Sequence, residues 1–75
     1  MDHDDRVKRV LELVADVSAF PAHYAPLPID ERLIVALALG RADWLQADGV
    51  DSIVQGRDRV GRDWSRAVSA ALWKA

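Results

Sequence analysis

The sequence predicts an all-α fold, a small bundle of three main helices with a short extra helix after the central one, in a single domain spanning residues 1–75. Three observations carry that expectation. Leu33–Leu39 is apolar almost all round a helical wheel and lies between an acidic start and a glycine stop. Apolar residues on both sides of it recur at helical spacing, and no stretch keeps strand-like alternation.

The first helix is read over Asp4–Ala19. Val7, Val10, Leu11, Val14 and Val17 form its apolar stripe, with Leu13 and Ala15 at the flanks. Lys8, Glu12 and Asp16 recur at four-residue steps on the opposite face, a solvated stripe with one ion pair. The valines lower helix propensity, so packing has to hold this helix. Phe20–Pro28 is a stiff connector because Pro21, Pro26 and Pro28 each remove a backbone donor and extend the residue before them. Phe20, Tyr24 and Leu27 are placed over the bundle edge, and His23 is read as exposed.

The central helix occupies Pro28–Gly40. Asp30 and Glu31 offset the positive end of its dipole, and Gly40 stands where a C-terminal cap is expected. Stopping there makes Asp43 the cap of a short helix, with Gln46 at capping-box spacing. Continuing would put Arg41 in the middle of the apolar face, which favours the break. So greasy a helix needs cover from the other helices, a second copy of the chain, or both.

Asp48-Gly49 marks a turn. Beyond it Val50, Ile53, Val54, Val60, Trp64, Val68, Ala71 and Leu72 hold one helical phase. Gly56, Gly61 and an Arg57 inside the apolar arc place a kink around Gln55–Arg57, so the last helix is read as Arg57–Lys74. Lys74 suits its negative end.

Composition sets limits. An apolar share of 51% and a charged share of 29% belong to a globular chain. With no cysteine, neither a disulfide nor a thiolate metal site supports the small core, and oligomerisation, as a homodimer, is the expected supplement. The acidic start Met1–Asp5 is no secretory signal, and no apolar run reaches the roughly 18–20 residues that cross a bilayer. The expected location is cytoplasmic, and eight Arg against two Lys with abundant Ala fits a GC-rich bacterial genome. The net charge of −2 comes from an acidic 1–50 and a basic 51–75, too mild an asymmetry for a dedicated nucleic-acid surface.

The chain offers little material for catalysis. Ser18, Ser52, Ser65 and Ser69 have no histidine pattern beside them, and there is no phosphate loop or HExxH motif. Asp48–Asp51 is too short for a calcium loop. His3 is in the third position, where a terminal amine, two amides and an imidazole can enclose Cu(II) or Ni(II), a pattern that chance supplies often. No enzyme, cofactor or metal is expected.

Two constellations remain. Arg59, Arg62, Arg66 and Trp73 cluster on the face opposite Trp64, a set able to grip phosphates or carboxylates of a partner. As a merely solvated face, it would pair Asp58 and Asp63 with those arginines. Arg41 and Asp43 are read as a structural clamp, Arg41 meeting the carbonyls that end the central helix.

The run Leu33–Asp43, after its acidic start at Asp30-Glu31, resembles a segment of a family of uncharacterised bacterial domains. There a Leu-Val-Ala-Leu-type helix ends in Gly-Arg-Gly-Asp, and this chain has Ala42 in place of the second glycine. The resemblance covers Asp30–Asp43 and implies a fold without naming an activity. The function expected is a small helical protein-interaction module acting by self-association or by binding another protein. The alternative is a nucleic-acid-associated regulator using the Arg-rich face.

Overall fold

Asp2 starts the chain's first helix by accepting the Asp5 amide at 2.9 Å, so α1 runs His3–Ala19. The computed structural model describes residues 1–74, with side chains up to Trp73. The expected placement of Lys74 against a helix end lies outside the described side chains. A 3-10 turn at Pro21–His23 follows, then α2 (Ile29–Leu39), α3 (Ala42–Ala47), α4 (Ile53–Val60) and α5 (Arg62–Lys74). Among the described residues the fold is all-α, five helices and no strand. That is one helix more than a bundle of three main helices and a short one.

The extra helix arises because the break falls at Gly61, not around Gln55–Arg57. Gly61 takes φ 90° and ψ 166°, a conformation that ends α4 and restarts the chain as α5. Gly56 stays helical and buried for a different reason. A Cβ there would come within 3.1 Å of Leu37 Cδ2 and 3.3 Å of Leu45 Cδ2, so the missing side chain lets α4 lie close against α2 and α3. The N-terminus of α4 also had a legible signal that the periodicity masked. Ser52 accepts the Gln55 amide at 3.1 Å while Gln55 Oε1 reaches back to the Asp51 amide at 2.7 Å. The capping pair is Ser52 and Gln55, whereas Asp43 caps nothing: Arg41 precedes α3 without a side-chain cap.

α2 ends where expected, and its end is a Schellman motif. Gly40, at φ 66°, donates its amide to the Leu37 carbonyl at 3.2 Å, and the Arg41 amide reaches Ala36 at 2.9 Å. The Arg41 main chain, not its guanidinium, therefore satisfies the end of the central helix. Nothing lies within 4 Å of a Cβ built on Gly40, so only backbone strain opposes a side chain there. Gly40→Ala should cost about 1 kcal/mol and Gly40→Asn less, because Asn tolerates the left-handed region. Equal losses for the two in urea unfolding would contradict this account.

α2 touches all four other α-helices. Leu33, Ile34, Val35, Ala36, Leu37 and Ala38 are buried, and of the run Leu33–Leu39 only Leu39, at 36% exposure, reaches the edge. The cover comes from the chain itself. The accessible surface of 4731 Å² is close to the ~4,600 Å² expected of a folded monomer of 8.3 kDa. The greasy middle thus requires no second copy, and any self-association has to be argued from another surface.

The stripe of α1 is rotated from the expected one. Val7, Val10, Leu13 and Val17 are buried, Val14 is half-buried, and Leu11 turns outward. The opposite face also pairs differently: Glu12 lies 3.7 Å from Arg9, which in turn binds Glu31 of α2 at 2.6 Å. The connector is pinned by side chains. His23 Nδ1 lies 3.0 and 3.1 Å from the two Asp16 oxygens, and its ring stacks on the exposed Phe20 at 5.0 Å.

Candidate functional site

A concave apolar surface lies where the C-terminal end of α2 meets α4 and α5. Leu37, Ala38, Leu39, Gly40, Ile53, Val68 and Leu72 line a groove of about 390 Å³, with Arg57 as its one charged wall residue. Leu72 continues the surface over to α1, where Val10, Leu11, Val14, Ala38 and Ala71 form a second, shallow apolar hollow. Leu11, Leu39, Ile53 and Leu72 are 36–52% exposed, while Val54 and Trp73 reach 72% and 92%. Ile53, Val54 and Leu72 were expected on the buried phase of the last helices. The break at Gly61 cancels that phase, because two separate helices need not point the same residues inward.

The Arg57 that interrupts the apolar arc is half-buried in the groove wall. Its Nη2 donates to the Ser69 hydroxyl of α5, a neutral partner. Three other arginines are also partly buried, and each faces a carboxylate. Arg6 lies 3.6 Å from Asp63, Arg9 2.6 Å from Glu31, and Arg32 3.4 Å from Asp48. Arg57 is the exception among the described residues.

The residues singled out from the sequence are distributed differently. Arg59 ends in α4, whereas Arg62, Arg66 and Trp73 belong to α5, so the backbone break at Gly61 separates the first from the rest. All four are exposed. The ion pairs expected within that face are not formed among the described residues: Asp63 turns to Arg6 of α1, and Asp58 has no cationic partner. Arg66 instead lines a hollow with His3, Arg6, Asp63 and Ala70.

Arg41 and Asp43 face one another through two hydrogen bonds, Nε to Oδ1 at 3.0 Å and Nη2 to Oδ2 at 2.8 Å. This contact holds the Asp43 carboxyl below its ordinary value and the guanidinium above its own. The guanidinium also lies 4.5 Å over Trp44, whose other neighbour is the Tyr24 ring at 4.3 Å. Tyr24 in turn points its hydroxyl at Asp48, 3.4 Å away. Burial and the Asp48 carboxylate push that phenol up to about 12. These groups tie the proline connector to α3.

No group of His, Asp and Glu among the described residues is placed to hold a metal, and no described helix is long and apolar enough to cross a membrane. The chain matches no family model, no curated protein and no solved structure. Its function is therefore argued from its own surface.

Proposed function

We propose that this chain is a small helical protein-interaction module whose docking surface is the apolar groove between α2, α4 and α5, extended over Leu72 to Leu11. The observation that carries this reading is the run of exposed apolar side chains from three helices around the groove and from α1 in the adjoining hollow, in a chain whose core is already covered. Selection from a library of displayed helical peptides tests it. Selected peptides should shift the amide resonances of Leu11, Leu39, Ile53 and Leu72, and Leu39→Ser with Leu72→Ser should abolish binding without unfolding the protein. A library that yields no binder at this face removes the reading.

Self-association into a homodimer is the second reading, supported by Val54 and Trp73, large apolar side chains left exposed outside the groove lining. It predicts a mass that doubles with concentration and shifts at these same residues. A nucleic-acid role rests on the exposed Arg59, Arg62 and Arg66, none of which meets a carboxylate among the described residues. It predicts duplex binding that weakens steeply with salt, and no binding at low salt removes it.

A further inference from the structure

We infer that the groove accepts an amphipathic helix of another protein whose apolar stripe carries one carboxylate, and that Arg57 reads that carboxylate. The inference rests on the docking reading above and adds the chemistry of the partner. Its basis is the contrast among the four half-buried arginines. Partial burial removes water from a guanidinium, and in three cases the chain supplies an acid in return. At Arg57 the described residues supply only the Ser69 hydroxyl, which satisfies one N–H and none of the charge.

The surroundings of Arg57 specify the rest. Every other residue lining the groove is apolar or glycine, so the occupant has to present apolar side chains to Leu39, Ile53 and Leu72. No described lining residue carries a carboxylate, so a second copy docking face to face would bring guanidinium towards guanidinium, a juxtaposition that disfavours the homodimer at this site. The apolar surface also runs past the groove to Leu11 and Val14, farther than a small molecule confined to the groove would cover. A helix with apolar residues three and four positions apart fits such a surface, and an Asp or Glu within its stripe meets the fork of Arg57.

The test uses the intact chain against a displayed library of random helical peptides, selected in parallel with the native protein, Arg57→Gln and Arg57→Glu. Native protein should enrich peptides with Asp or Glu at one position of an apolar stripe. Arg57→Gln should lose that preference, and Arg57→Glu should replace it with Lys or Arg. A synthetic peptide from the native selection should bind Arg57→Gln about tenfold or more weakly, the loss of one charge-assisted contact. Arg62→Gln, away from the groove, should bind it as the native protein does.

Stability gives a second readout. Arg57→Gln should leave the unfolding midpoint unchanged or raise it, since it removes a charge with no counter-charge. A fall in midpoint with unaltered peptide preference would assign Arg57 a purely structural role and overturn the inference. Binders at the groove without acidic enrichment would overturn it and leave the docking reading standing, whereas no binders would end both. Saturable binding of laurate at the groove, with no peptide selected, would assign the site to a small apolar acid instead. A concentration-dependent dimer centred on Arg57 would show that a second copy occupies it.

Discussion

Leu45→Ala is expected to destabilise the protein by about 3 kcal/mol and to lower the unfolding midpoint by about 12–24 °C. Leu45 is fully buried in α3, a helix of six residues whose only buried side chain it is. Both of its methyl groups lie against the space where a Gly56 side chain would be, so it holds α3 against α4. Truncation leaves a cavity at the point where three helices meet, and so short a helix has little else to keep it in place. The informative experiment adds Gly56→Ala. In the native background that change gains about 1 kcal/mol of helix propensity but crowds Leu37 and Leu45, and a net loss of about 1 kcal/mol is expected. In the Leu45→Ala background two of the three close atoms are gone, and the same substitution should stabilise by about 1 kcal/mol. A coupling of about 2 kcal/mol in urea unfolding is the expected result. Strictly additive losses would mean that Gly56 is not required by helix approach.

The second large effect is expected at Asp48. Its carboxylate, 16% exposed, serves both Arg32 and Tyr24 at 3.4 Å, joining the start of α2 and the connector to the end of α3. Asp48→Ala leaves a half-buried guanidinium without its counter-charge, and Arg32 Nε is already buried without a partner. A loss of about 1–3 kcal/mol is expected. The same substitution should alter alkaline behaviour. The Tyr24 phenol is raised in the folded chain from 10.0 to about 12, first by burial and then by Asp48. Folding therefore favours the neutral phenol. The stability this contributes is complete below pH 10 and disappears as the pH rises through about 12. Without Asp48 the phenol should titrate lower, though still above its unfolded value because burial persists. Ultraviolet titration of the phenolate in the native protein and in Asp48→Ala measures this directly. Identical midpoints would show that Asp48 does not act on Tyr24.

Leu11, Ile53 and Leu72 show where a helical wheel stops being informative. A wheel assigns faces relative to one helix axis, and its assignment holds only while the axis continues. Val50–Leu72 keeps a single phase in the sequence, yet Gly61 divides it, so Ile53, Val54 and Leu72 come to line or flank a groove. On α1 two neighbouring stripes were nearly equal in apolar content. The packing of α2 and α5 against this helix, not periodicity, decides that Leu13 is buried and Leu11 exposed. Arg57 inside the apolar arc was a sign of a kink, and it is instead the charged residue in the wall of the groove. Ser52 and Gln55 were legible as a capping pair, but the long apolar phase through them hid the start of α4.

The sequence by itself determined the all-α class, the end of α2 at Gly40 and the turn at Asp48-Gly49, because these depend on local backbone preference and on the apolar spacing of single segments. Tertiary structure alone decided which apolar residues remain outside and which partly buried arginine meets no acid among the described residues. Those outcomes depend on how five short helices share a core too small to bury every apolar side chain, and no one segment contains that information.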